Sequence, residues 1–301
     1  MDIDSLRRAL SRAALLGAMV LGLPASSPAQ VAAATPLPSA EQILRRYETF
    51  LGGPAALSKV TTRTVISRRL EFGAAPKDTV LVRYSKTPGL SIMHFRALDG
   101  SFIQYVNGCD TTGGWGAAMG VGGPPKPGAS STDGICQQEA YYYGYLPLNL
   151  ARLKGNVGRL EVKALIQIVP VDAGSAGSLA GGRGADLFPP GPRKAYLVLS
   201  VPARGGDEYV WLYFDAQTGA LLRRADAGKG PAPAQPGMNP RYTDFLQYRD
   251  VGDGTRAPFQ FVTTGPGVEQ RGVQTSIVDN APLADDVFRR PKDAAREDGG
   301  F

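Results

Sequence analysis

Apolar residues recur along this chain with two periods, and the change from one to the other sets out its organisation. Ile43, Leu44, Tyr47, Phe50 and Leu51 fall at helical spacing. Just before them, Ser39-Ala40-Glu41-Gln42 is a capping-box pattern, in which the Ser39 hydroxyl accepts from the first turn and the Gln42 side chain reaches back. Gly52-Gly53-Pro54 stops the run. One amphipathic helix is therefore predicted to open the folded region.

Beyond residue 60 the period becomes two. Segments 61–72, 78–86, 90–97 and 101–107 are rich in β-branched and aromatic residues and are separated by Gly, Pro or Asp. Their close spacing predicts antiparallel neighbours. Residues 108–135 are Gly-rich and carry Gly113-Gly114-Trp115-Gly116. A second helix is predicted over 137–154, broken or kinked near Pro147. Strand patterns resume at 160–169, 195–201, 207–224, 241–248, 257–264 and 272–278. Segments 170–193 and 225–240, rich in Gly, Ala and Pro, read as surface insertions, because β patterning continues in the same style on both sides. The expectation is one α+β domain of about ten antiparallel strands and two helices.

Within 207–224 the alternation is unusual. Val210, Leu212 and Phe214 occupy one face of the first run, and Tyr209, Trp211 and Tyr213 the other. A strand with one solvated face alternates apolar with polar, so both faces here call for cover. Asp215-Ala216-Gln217-Thr218-Gly219 then reads as a short hairpin loop with a bulge.

The N-terminus changes the picture of compartment. Arg7, Arg8 and Arg12 precede an apolar run, 13–23, too short to span a bilayer. Ser27-Pro28-Ala29 fits cleavage before Gln30, and Ala32-Ala33-Ala34 is a second candidate. Residues 1–29 are thus expected to be a secretory signal peptide and 30–38 a Pro/Ala-rich leader. A single domain over 39–291 follows, with insertions near 116–134, 170–193 and 225–240, and then a disordered tail at 292–301. No cysteine lies near the cleavage region, so no lipid anchor is expected; the product is expected to be periplasmic, and a monomer. Removing 1–29 takes away three Arg and two Asp and lowers the net charge from +6 to +5. That excess is spread thinly and forms no basic stripe, which argues against nucleic acid. In an oxidising compartment Cys109 and Cys136 read as a disulfide closing a loop of about 28 residues, contributing roughly 3–3.5 kcal/mol in the chain-entropy picture. Two free buried thiols are the alternative.

The chain offers little for catalysis. His94 is the sole histidine, on the face of Ile92 and opposite Met93 and Phe95; it reads as a partly buried core residue, with a general base or sensor as the alternative. Neither a nucleophile elbow nor a phosphate-cradling loop is present. Asp250-Val251-Gly252-Asp253-Gly254 lacks the length and closing Glu of a calcium loop and reads as a strand-joining turn. Asp285-Asp286 reads as the first turn of a terminal helix or a solvated edge. No cofactor, metal or catalytic residue is expected. The positive signal is aromatic and aliphatic. An apolar cavity between a curved sheet and a helix needs no polar motif, since each buried methylene contributes about 0.8 kcal/mol. Its candidate ligand-facing side chains are Ile92, Tyr105, Trp115, Tyr142, Tyr209, Trp211, Tyr213, Phe259 and Phe261. Of the two faces of the 207–214 run, that of Trp211 is taken as the ligand side.

The order of several segments resembles the periplasmic lipoprotein-carrier superfamily of LolA/LolB type. They are AEQILRRYETFLGGPAAL (40–57), GGWG (113–116), YFDAQTGALLRR (213–224), TDFLQYRDVGDGTRAPFQF (243–261) and VDNAPLADDVFRRP (278–291). The resemblance implies a single strongly curved antiparallel β-sheet, an open half-barrel with helices packed on its concave side, holding acyl chains there without catalytic residues. The cysteine-bearing segment and the two insertions depart from a true lipoprotein carrier. The expectation is a soluble protein that binds a hydrophobic small molecule, lipid or lipoprotein, as carrier or sensor. A module for a periplasmic or outer-membrane protein partner is the second reading, and an exported hydrolase using His94 the third.

Overall fold

The computed structural model describes residues 36–72, 77–87, 90–98, 103–109, 114–119, 125–127, 154, 157–170, 191–201, 208–229, 241–252 and 254–289. Helix α1 (Ala40–Phe50) starts where the capping box places it: the Gln42 N–H donates to Ser39 Oγ at 3.2 Å, and the Ser39 N–H donates to Gln42 Oε1 at 2.8 Å. Ile43, Leu44, Tyr47 and Phe50 are its buried stripe, each contributing roughly 1.5–3 kcal/mol by burial before entropy is counted. The Gly-Gly-Pro stop is followed by one further turn, α2 (Pro54–Leu57), which Pro54 can begin because the first helical position needs no N–H.

The strands are β1 (Thr62–Phe72), β2 (Lys77–Lys86), β3 (Leu90–Ala97), β4 (Ile103–Cys109), β5 (Gly114–Met119), β6 (Pro125–Pro127), β7 (Leu160–Ile168), β8 (Arg193–Ser200), β9 (Glu208–Asp215), β10 (Leu221–Lys229), β11 (Tyr242–Gly252), β12 (Thr255–Gly265) and β13 (Val268–Asp279). All belong to one antiparallel sheet of 13 strands in the order β6-β5-β4-β3-β2-β1-β13-β12-β11-β10-β9-β8-β7. It is a meander in which the last strand returns beside the first, and among the described residues β6 and β7 are its outermost strands. The sheet is strongly curved and open, with the helices on its concave side. It holds more strands than the ten or so expected, because β5 and β6 are Gly- and Pro-rich and carry no strand pattern. Strand β10 also runs on to Lys229, into the segment read as an insertion. The predicted helix over 137–154 lies outside the described residues, apart from Lys154.

Strand pairing fixes which side chains share a face, since directly opposed residues point the same way. Leu212 opposes Val198 and Arg224; Arg224 opposes Thr243, and Thr243 opposes Thr263. Leu212, Val198 and Phe214 join Tyr47 and Leu44 of α1 in one core, so this row is concave. Val65 of β1 belongs to the same core, which makes Arg63, Ser67, Arg83 and Met93 concave by their pairings. Gln247 has a left-handed φ of 50° in mid-strand, which lets both Phe245 and Tyr248 reach the α1 core. Its neighbour Tyr248 lies opposite Pro258, which has no N–H to lose from the ladder. The Tyr248 hydroxyl donates to the Leu221 carbonyl at 2.8 Å, and its ring meets Phe50 edge-on at 5.0 Å.

Asp215 and Gly219 build the β9–β10 turn anticipated from the sequence. Asp215 Oδ1 accepts from the Gln217 N–H (3.0 Å), the Thr218 N–H (2.6 Å) and the Thr218 hydroxyl (2.8 Å), while Oδ2 accepts from Arg193 Nε at 2.6 Å. Burial alone raises this carboxyl's pKa; the Arg193 and Thr218 hydrogen bonds outweigh it and hold it below the ordinary value. Gly219 has φ +83°, and a Cβ there would sit 2.8 Å from the Arg46 backbone carbon. The turn is thus docked on α1. Gly219→Ala is expected to lower stability by about 1–3 kcal/mol in urea unfolding, by combining φ strain with that clash.

Candidate functional site

The concave wall changes character across the sheet. Under α1 it is apolar: Val198, Val210, Leu212, Phe214, Leu221 and Phe245 pack on Ile43, Leu44, Tyr47, Phe50 and Leu51. Tyr47 and Phe214 meet edge to face at 5.4 Å, an arrangement that adds about 0.5–1.5 kcal/mol to burial. Farther round, Phe261 continues this surface. It lies opposite Gly272, where a Cβ would fall 1.8 Å from the Phe261 ring, so the ring occupies the space the glycine leaves. On β1–β3 the wall mixes Val65 and Leu81 with buried Arg63, Arg83, Ser85 and Ser91.

Beyond the apolar strip, β12 and β13 separate. Their ladder runs only from Gln260–Val273 to Gly265–Val268, while β11 stays paired with β12 as far as Thr255. Arg63 bridges this fork: Nε and Nη2 donate to the two Asp279 carboxylate oxygens at 2.5 and 2.7 Å, and Nη2 donates to Thr255 Oγ1 at 3.0 Å. Only 1% of Arg63 is exposed. The C-terminal end of α1 closes the mouth, its Leu51 carbonyl accepting from the Arg256 N–H at 2.9 Å.

The opposite face carries two further clusters. Trp211 lies with Leu197, Leu199 and Ala225, bordered by Tyr209, Tyr213 and Tyr242. Trp211 is 4% exposed, and among the described residues no acceptor meets its indole N–H. Beside this cluster the Arg223 guanidinium stacks over Tyr242 at 4.4 Å and donates to both Asp244 oxygens at 2.5 and 2.8 Å. Desolvation works against the Arg223 cation, but Asp244 outweighs it and raises the pKa. The second cluster sits under the C-terminal segment, where Ile92 packs on Phe288, Leu283 and Val287. Lys86 Nζ fixes that segment by donating to the Leu283 carbonyl and to Asp285 at 2.9 and 2.6 Å. The Asp285–Phe288 turn is 3-10 rather than a full helix.

The sequence-derived site residues therefore divide. Phe261 is on the concave side. Tyr209, Trp211 and Tyr213 come together, but on the face away from α1, and Ile92 is packed under Phe288. Phe259 carries the Arg249 guanidinium at 5.0 Å. Tyr105 and Trp115 lie on β4 and β5, with Tyr105 opposite Phe95 in register. Tyr142 and Cys136 are outside the described residues, and with them the expected disulfide. The sequence reading did not single out Arg63, Arg83, Ser85 or Ser91: isolated Arg and Ser residues in β-rich runs carry no signal until register places them on one wall.

His94 faces away from α1, between the Tyr84 ring at 5.7 Å and Arg96 Nη2, which lies 3.4 Å from His94 Nδ1. Burial and the Arg96 charge lower its pKa to about 4. Between pH 6.5 and 4 the unfolded chain takes up a proton that the fold refuses, so stability falls as pH drops through that window. Because solvent reaches part of the ring and screens the shift, the expected loss is about 1–2 kcal/mol, read by urea unfolding at stepped pH, and His94→Gln is expected to flatten the profile. Among the described residues no group of three or more His, Cys, Asp or Glu is placed to hold a metal ion.

An open, curved antiparallel sheet wrapped on an amphipathic helix is the fold this chain shares with solved LolA-like proteins. A LolA superfamily protein from Nitrosomonas europaea superposes with TM-score 0.50 at 10% identity, covering 84% of this chain and 99% of that one. A DUF1329 family protein from Desulfovibrio piger gives TM-score 0.51 at 11% identity, covering 84% and 98%. A domain from Vibrio parahaemolyticus described as an outer membrane lipoprotein-sorting protein gives 0.50 at 10%, covering 83% and 97%. At these identities the likeness is one of fold. No protein-family model matches the sequence, and no curated protein matches it significantly.

Proposed function

We propose that this protein binds a hydrophobic ligand, a lipid or a lipidated partner, on the concave side of the half-barrel and carries or senses it without chemistry. The observation that carries this reading is an open, strongly curved sheet whose concave wall runs on past the α1 core through Phe261, Val65 and Leu81. The lipoprotein-sorting description of the Vibrio structure supports the same class of ligand. Among the described residues no helix is long and apolar enough to cross a membrane. The arginine-led apolar N-terminus supports an exported, periplasmic protein cleaved before Gln30.

Thermal unfolding tests the reading. A ligand that binds only the folded state at a hundred times its Kd adds about 2.7 kcal/mol. A rise in Tm with added phospholipid or fatty acid is expected, and an unchanged Tm across lipid classes would remove the reading. Cys109 and Cys136 are proposed to be bridged: denatured, unreduced protein is expected to titrate no thiol, and two titratable thiols would contradict the bridge.

The Trp211 cluster supports a second reading. The cluster itself is buried, and its half-buried rim of Tyr209, Tyr213 and Tyr242 on the face away from α1 suits a protein partner more than an acyl chain. A stable complex pulled down from periplasm and lost on Trp211→Ala would favour it.

A further inference from the structure

The chain beyond β13 crosses the ends of β1, β2 and β3, and it is held unevenly along its length. Its root is firm. Asn280 takes a left-handed φ of 59°, its N–H donates to the Thr62 carbonyl at 2.9 Å, and its Oδ1 accepts from the Thr61 N–H at 2.9 Å. The Thr62 hydroxyl donates to the Ala281 carbonyl at 2.7 Å. Pro282 follows and has no N–H to offer the sheet. Past it, among the described residues, the backbone bonds are the segment's own. The Val287 N–H donates to the Ala284 carbonyl and the Arg289 N–H to the Asp286 carbonyl, at 3.2 and 3.1 Å. Of residues 281–289 only Phe288 is buried. It packs on Ile92, with Tyr84, Leu90, Leu283 and Val287 around the contact. The other tie is Lys86 Nζ, which donates to the Leu283 carbonyl and to Asp285, a carboxylate whose side chain is 82% exposed. Such an exposed pair contributes little and is screened by salt. A segment with one buried anchor and one exposed latch belongs to the low-stability end of a fold, where local opening leaves the rest intact.

We propose that residues 283–289 are a strap that lifts from β2 and β3 as a unit while the sheet stays folded. Asn280 and Ala281 hold its root, the Lys86–Asp285 pair is its salt-sensitive latch, and Phe288 is its anchor. Lifting uncovers Tyr84, Leu90 and Ile92, an apolar patch on the face away from α1 that the closed strap covers. The strap is independent of what the concave side binds.

Methyl relaxation-dispersion NMR on the full mature chain reads the opening directly. Ile92, Leu283 and Val287 are expected to share one exchange process with an open population on the order of 1%, while Val65 and Leu212 of the α1 core show none. Lys86→Met, a surface change that leaves the anchor in place, is expected to raise that population about two- to fivefold. Sodium chloride at about 1 M, where the screening length is ~3 Å, is expected to do the same in the unaltered protein and to add nothing in Lys86→Met. Phe288→Ala is expected to end the exchange and to leave the Ile92 methyl at its open-state shift, with the Val65 and Leu212 shifts unchanged. Arg68→Gln, which breaks a different pair, with Asp78, is expected to leave the open population as it was. Flat dispersion at Ile92, Leu283 and Val287, or the same process at Val65 and Leu212, overturns the strap. An open population that neither Lys86→Met nor salt changes overturns the latch, and the proposal with it.

Discussion

Asp279→Ala is expected to destabilise the protein by about 3–5 kcal/mol, among the largest effects of any single substitution away from the α1 core. Removing this carboxylate takes both of its oxygens from a guanidinium that is 1% exposed, and breaking a buried ion pair at one partner costs that much. The loss is also topological. Arg63 ties β1 to β13 and to Thr255 of β12 where the β12–β13 ladder has ended, so the fork opens with it. The measurement is urea unfolding of both single variants and of Arg63→Met/Asp279→Leu. The double variant is expected to recover most of the loss, because two apolar side chains leave no buried charge behind. A double variant as unstable as Asp279→Ala would show that the pair's role is the bridge and not the balance of charge.

Phe214→Ala is expected to cost about 3–5 kcal/mol and to loosen α1. Phe214 is fully buried, opposes Tyr196 and Leu221, and receives Tyr47 edge-on. The cavity would open directly beneath the helix, so amide exchange in 40–50 is expected to speed up while β1–β3 keep their protection. Exchange that rises equally over the whole sheet would contradict a helix held mainly by this contact.

How much of this was legible in the sequence depended on whether the signal was local. The capping box at Ser39 and Gln42, the Gly52-Gly53-Pro54 stop and the Asp215–Gly219 turn were readable because each rests on residues within five positions of one another. The two apolar faces of β9 were visible too, but not which face α1 would take; that is decided by contacts between residues far apart in the chain, such as Gly219 against Arg46. Trp211 was read as the ligand side, whereas the helix packs on the Leu212 side and the curved sheet closes around it. Strands β5 and β6 escaped notice because Gly114, Gly116, Pro125 and Pro127 are poor strand formers, held there by pairing with β4 and with each other. Arg83 and Ser85 were silent for a related reason: a polar residue in a strand reads as solvent-facing until pairing with Val65 and Ser91 turns it inward.

The central claim is that the concave side of this half-barrel holds an apolar molecule. It is tested most directly by native mass spectrometry of protein purified from periplasm without detergent, followed by organic extraction of the same sample. The account predicts a bound species of lipid mass that is released by solvent and missing after delipidation, and that returns with added lipid. A mass equal to the polypeptide alone, an extract free of lipid and no uptake on adding it back would contradict the account.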